Sequence, residues 1–238
     1  MRSRAVGLIG MASLALAVGC SRKEAPQETL PPARPAPPAA TLPEVPHPEE
    51  EEASIGPAIS GVRIGDAAAL PDLKMLSVDG RQVSLAEVRG RKGLLVVFTC
   101  NACPYARAWE QRIVTLGNEY IGHGVGVIAV NANDPGLMPE ESFEAMKARA
   151  TERGMKYPYA VDGTSALARA FGATRTPEAF LFGADGKLAY HGTIDDNAQS
   201  PDQVTEQYLR NALAAVVSGE PVPVPETKSM GCSIKFRG

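Results

Sequence analysis

Metal-ligand pairs are what this 238-residue chain most conspicuously lacks. Its three histidines, His47, His123 and His191, stand too far apart for ligand spacing. Neither a second CxxC nor an HxxxH is present to complete a zinc site. Excess charge of one sign is missing as well: the net charge of −3 gives no reason to expect a nucleic-acid partner. Past the first twenty residues no apolar run approaches membrane-spanning length. Internal repeats are absent. Cysteine is sparse, with Cys20, Cys100, Cys103 and Cys232 making up the 4 in the chain. No metal or organic cofactor is expected.

What is present begins with a leader. Arg2 and Arg4, the apolar stretch from Val6 to Val18, and Gly19-Cys20 make a basic head, a short apolar body and small residues before a cut site. That is a secretory signal over residues 1–20, too short to span a membrane. Leu16-Ala17-Val18-Gly19-Cys20 resembles a bacterial lipobox, which implies lipidation of Cys20; the competing reading is an ordinary signal with a chance cysteine. Ser21 resembles an outer-membrane sorting residue, so the expected location is the periplasmic side of a bacterial membrane, lipid-anchored, with the outer membrane favoured. Residues 21–60 are rich in Pro, Ala and Glu and hold half of the 20 prolines. Such a stretch lacks the apolar residues to offset ordering entropy, and reads as an extended tether. At about 3.1 Å per polyproline residue its reach is up to ~100 Å.

Residues 61–220 read as a single globular domain. Met75–Val78 and Gln82–Leu85 flank Asp79-Gly80 as an N-terminal hairpin. Leu94–Phe98 and Val125–Asn131 are all-apolar strands with a helix, Pro104–Ile121, between them, so they are expected to pair in parallel. Tyr105, Trp109, Ile113, Leu116 and Tyr120 fall on one face of that helix. Glu140–Arg153 and Ser165–Phe171 are helical, with Tyr159–Val161 a short strand between them. Glu178–Phe182 and Leu188–His191 form a second hairpin around Ala184-Asp185-Gly186. Gln203–Val217 is a further helix ended by Gly219, after which Pro221, Pro223 and Pro225 leave an extended tail, 221–238, that carries Cys232. Alternating strands and helices with a terminal hairpin predict a mixed-sheet α/β sandwich.

The chemistry sits where the first apolar strand ends, at Cys100-Asn101-Ala102-Cys103. Pro104 fixes the helix start, because proline is tolerated only where its missing N–H goes unused. The N-cap therefore falls within Cys100–Cys103, with Asn101 the natural capping side chain. Both sulfurs then lie within about one turn of the positive helix end, accessible and easily ionised. Arg107, one turn on, points back toward Cys103 as a candidate tuning cation, against the plainer reading of a solvated helix face. A structural disulfide gains little from so tight a loop, and zinc lacks partners, so a redox dithiol fits best. His191 reads as a satisfied strand histidine or a proton shuttle. Asp195 and Asp196 read as turn-formers or acid–base groups, and Trp109, the only tryptophan, as core.

Phe98-Thr99-Cys100-Asn101-Ala102-Cys103-Pro104-Tyr105, Thr174-Arg175-Thr176-Pro177-Glu178, Tyr190-His191-Gly192-Thr193-Ile194-Asp195-Asp196 and Gly231-Cys232-Ser233-Ile234-Lys235 occur in this order. Together they resemble the redoxin branch of the thioredoxin superfamily, in its peroxiredoxin-like form with a CxxC, over most of residues 61–238. The resemblance implies a thioredoxin-like α/β/α sandwich. It implies a cis-proline at Thr176-Pro177 facing the dithiol, with Thr176 offering backbone hydrogen bonds to a bound substrate chain, and Arg175 beside it as a second candidate for tuning the thiolate. Thioredoxins attack with the first cysteine, here Cys100. Peroxiredoxins attack with the cysteine before a proline, here Cys103, but Cys100 and Tyr105 stand where that pattern has threonines.

The expected function is a lipid-anchored thiol–disulfide oxidoreductase that exchanges disulfides with a client protein and draws on a thiol electron donor or acceptor. The alternatives are a thiol peroxidase using Cys103 and a copper-binding module using both cysteines. Cys232 is either a resolving thiol that folds back on Cys100 or Cys103, or a buried unpaired cysteine.

Overall fold

Gly93–Phe98 (β3) is buried at every position, because it lies in the middle of a seven-stranded sheet with helices on both faces. The computed structural model describes residues 61–237, so the expectations for residues 1–20, for Cys20 and for 21–60 lie outside the described residues. The remaining sheet strands are Met75–Ser77 (β1), Gln82–Val83 (β2), Val125–Asn131 (β4), Tyr159–Val161 (β5), Glu178–Phe182 (β7) and Leu188–Gly192 (β8). A separate two-residue strand, Arg175–Thr176 (β6), precedes β7. The sheet runs β2-β1-β5-β4-β3-β7-β8. As expected, β4 is parallel to β3; it is also parallel to β5, while β7 and β8 run antiparallel as a terminal hairpin. The result is the mixed α/β/α sandwich of the thioredoxin-like fold.

The alternation of β3 separates two cores. Leu95 and Val97 face a layer built around Trp109, Ile113 and Leu116 of Pro104–Gly122 (α2), Met146 of Phe143–Arg153 (α3) and Leu209 and Leu213 of Tyr208–Ser218 (α5). Leu94, Val96 and Phe98 face Leu85 of Leu85–Val88 (α1) and Leu167 and Phe171 of Ala166–Phe171 (α4). Phe98, Phe171 and Phe180 meet edge to face with centroids 5.2–5.7 Å apart, a preferred aromatic geometry.

Four expectations shift in detail. The first hairpin stops at Val83, because Ser84 closes a capping box with Glu87 and starts α1. Pro139–Glu141 is a 3-10 turn, and α3 begins only after the Ser142 cap, whose hydroxyl accepts from Ala145 N–H. Residues 204–207 are not helical: Thr205 is drawn to the Asp196 carboxylate, so α5 starts at Tyr208. Tyr105 is exposed rather than part of the buried apolar face of α2, its ring meeting the edge of that face at Trp109 with centroids 6.2 Å apart.

Candidate active site

The strand β3 delivers Cys100 to the end of the sheet, and Pro104 at the first helical position makes Cys103 the N-cap of α2. Asn101 is therefore not the cap. Its side chain instead donates to the Glu140 carbonyl at 2.8 Å and accepts from the Tyr159 hydroxyl at 3.1 Å. The loop between the cysteines is held from below by Glu141. That carboxylate is 1% exposed and accepts the N–H groups of Asn101 and Ala102 at 2.9 and 2.8 Å and the Asn131 side-chain amide at 2.8 Å. Two backbone N–H groups of the CxxC loop thus serve a carboxylate rather than the sulfurs. Glu141 was not legible from sequence, where Glu140-Glu141 reads only as an acidic first turn.

Across the site, the Thr176-Pro177 peptide is cis, as the resemblance implied. The Thr176 hydroxyl lies 3.1 Å from Cys100 Sγ, and its carbonyl oxygen 3.1 Å from Cys103 Sγ. Cys232 lies in a short strand, Cys232–Ser233 (β9), paired antiparallel with β6, so that Cys232 stands opposite Thr176. Its sulfur is 2.6 Å from Cys103 Sγ and its backbone N–H 3.4 Å from the same atom. All three cysteines are free. The structure thus brings Cys100, Cys103, Cys232, Thr176 and Pro177 together.

It does not bring the two arginines to the sulfurs. Arg107 is exposed on α2, with no hydrogen bond or ion pair from its guanidinium to a cysteine, because its position on the helix faces solvent. Arg175 is also exposed and donates to the Gly231 carbonyl at 3.1 Å. Asp195 is more than a turn-former: it accepts the Trp109 indole N–H at 2.7 Å and pairs with Arg112. His191 stacks on Phe180 and lies 2.7 Å from Glu178 Oε1, a satisfied strand histidine.

The sulfurs are neither equally ionised nor open. Cys100 and Cys103 are 7% and 3% exposed. The hydrogen bond Cys103 receives from the Cys100 thiol, aided by the Cys232 thiol and the N–H groups of Ala106 and Cys232, outweighs burial and lowers Cys103 to about 4. The Thr176 carbonyl suits a thiol donor rather than an anion, but it is one acceptor set against these donors. The same bond to Cys103, followed by burial and the Glu141 charge, pushes Cys100 far up. Burial and the bond to Cys103 push Cys232 up to about 11. The three adjacent sulfurs thus differ in acidity, with Cys103 the one most readily ionised. Among the described residues no group of three or more His, Cys, Asp or Glu side chains is placed to hold a metal ion.

A dithiol at the head of a helix, facing a cis-proline on a mixed sheet, defines a thioredoxin-like protein of the thiol–disulfide oxidoreductase class. Comparison with known proteins agrees. The Redoxin family model matches residues 63–209, and the chain belongs to that family. Among solved structures, an uncharacterised conserved protein from Geobacillus kaustophilus is 36% identical with a TM-score of 0.68, covering 75% of this chain and 94% of its own. A hypothetical protein from Sinorhizobium meliloti is 34% identical with a TM-score of 0.69, covering 74% and 96%. Among curated proteins, the thiol-disulfide oxidoreductase ResA of Bacillus thuringiensis is 25% identical over 53% of this chain and 68% of its own.

Proposed function

We propose that this chain is an extracytoplasmic thiol–disulfide oxidoreductase, tethered to a membrane through Cys20 and the segment 21–60, with Cys103 as its attacking sulfur. The observation that carries the role of Cys103 is its placement at the N-cap of α2 among donors from Cys100, Cys232 and Ala106. The Cys103 thiolate attacks a client disulfide, a mixed disulfide forms, and a neighbouring thiol releases the reduced client. Thr176 and Pro177 line the client's path. The anchored location rests on the leader residues and the lipobox resemblance; no helix of the described residues is long and apolar enough to cross a membrane.

The test is insulin reduction by the full chain with dithiothreitol as donor. Cys103→Ser is expected to fall to background, and Cys100→Ser to slow turnover. Full activity in the Cys100→Ser/Cys103→Ser double variant refutes the reading. Palmitate labelling lost in Cys20→Ala tests the anchor. A second reading, thiol peroxidase, draws on one observation: the ionised sulfur is the one that precedes Pro104. Rapid consumption of hydrogen peroxide with a sulfenic acid trapped at Cys103 would establish it.

A further inference from the structure

The segment that follows α5 is bonded along its length to the rim of the site. His191 N–H donates to the Pro225 carbonyl at 2.9 Å and Thr227 N–H to the His191 carbonyl at 3.0 Å. Thr227 Oγ1 accepts from Thr193 N–H at 3.0 Å and lies 2.9 Å from the Tyr190 hydroxyl. Ser229 Oγ donates to Glu178 at 3.1 Å, and Arg175 holds the Gly231 carbonyl. Beyond β9, Ile234 N–H reaches the Thr174 carbonyl, and Arg237 N–H the Ser165 hydroxyl.

This segment therefore adds a strand to β6, the short stretch that ends in the residue before the cis-proline. Strand addition of this kind takes its affinity from main-chain hydrogen bonds and its selectivity from the few side chains it orients. Gly231 is required by the approach: a Cβ there would stand 2.1 Å from the Thr176 carbonyl oxygen and 2.6 Å from its carbon. The register then sets Cys232 opposite Thr176 with its sulfur against Cys103.

We propose that residues 225–237 are an internal substrate: they occupy the client's strand-addition site, Cys232 forms a disulfide with Cys103, and the client that displaces them is an extended segment with glycine immediately before its cysteine. This rests on Cys103 being the attacking sulfur. In the first step the Cys103 thiolate attacks a disulfide R–S–S–R′; the Cys103–S–R bond forms, the S–S bond breaks, and R′ leaves as a thiolate that takes a proton. Cys232, giving its proton to solvent, then attacks Cys103 Sγ and expels R as a second thiolate. One disulfide has become two thiols, and Cys103 and Cys232 are joined. A dithiol donor resets the pair.

The experiment treats the reduced full chain with oxidised glutathione and maps disulfides by mass spectrometry in the wild type, Cys100→Ser and Cys103→Ser. A Cys103–Cys232 link is expected in the first two and not in the third. Its absence from the first two overturns the proposal. The second measurement is the rate at which Cys103 attacks two synthetic cysteine peptides carrying aromatic mixed disulfides, alike except for Gly or Ala before the cysteine. The Gly-Cys peptide should react on the order of tenfold faster, since one such factor corresponds to a single modest clash. Gly231→Ala should raise the rate by lifting the tail from Thr176, and Ser229→Ala should raise it less. Equal rates for the two peptides, or no gain in either variant, also overturn the proposal. Insulin turnover that depends on Cys103 without the link sinks the tail and keeps the oxidoreductase. The link in a chain inert toward protein disulfides does the reverse.

Discussion

Cys103 is held from two sides by supports of different physical kinds. On one side β3 and α2 are fixed by burial: Leu95, Val97, Trp109 and Ile113 are almost wholly removed from water. On the other side the tail from Pro225 to Arg237 is held by main-chain bonds along the rim, with Ile234 as its one buried apolar side chain. Ordering a residue costs about 1–2 kcal/mol of backbone entropy, and a hydrogen bond returns about 0.5–1.5 kcal/mol net. A segment held mainly by such bonds, with Ile234 and Phe236 as its apolar anchors, is less firmly fixed than the helix it covers. The site thus combines a floor fixed by burial with a cover fixed mainly by hydrogen bonds, which is the less stable of the two.

The contrast can be broken from the floor first. Trp109→Ala should lose about 3–5 kcal/mol in guanidinium unfolding, as large aromatic truncations in cores do; it also removes the indole donor to the Asp195 carboxylate, which keeps Arg112 and the Asn197 N–H. Glu141→Ala should lose about 2–3 kcal/mol, because it strands the buried Asn131 amide and the N–H groups of Asn101 and Ala102. It should also bring the Cys100 thiol down, since the Glu141 charge helps to hold it up. On the cover, Ser229→Ala should cost no more than about 1 kcal/mol. A loss there as large as at Trp109 would erase the distinction between floor and cover.

A separate test lies in pH. The Cys103 thiol is lowered from 9.0 to about 4, so the folded state favours its anion. Its alkylation rate should hold from about pH 9 to about pH 5 and decline only on approach to 4, unlike that of a free cysteine. The stability this ionisation contributes is complete above the unfolded value and is lost as pH falls toward 4. A rate that tracks an ordinary thiol would remove the unequal-sulfur reading.

Local signals carried most of the fold. β3 and β4 announced themselves as unbroken apolar runs, Pro104 dated the start of α2, and Gly172 and Gly219 closed α4 and α5 in left-handed conformations. The dithiol and the Thr176-Pro177 turn were legible for the same reason, each being a contiguous motif. What could not be read were contacts made at long separation. Glu141 reaches the CxxC loop from 39 and 40 residues away; Cys232, for which the sequence left a fold-back onto the pair and an unpaired buried thiol both open, reaches Cys103 from 129. The arginines are a different case: helical spacing placed Arg107 a turn from Cys103 and left a tuning cation and a solvated face both open, and the structure puts the residue on the solvent side. Asn101 is a good cap by composition, yet it lies two positions too early once Pro104 fixes the cap at Cys103.

The unequal protonation of the three sulfurs has a practical corollary for anyone titrating this molecule with a chromogenic thiol reagent. Of the trio at the helix head, only one is an anion near neutrality, and it lies roofed by a second. Because Cys232 closes on Cys103 once that sulfur has reacted, a native titration would release two equivalents of chromophore, where full denaturant also reveals Cys100. That shortfall is a fingerprint of intact architecture, not a sign of oxidised material.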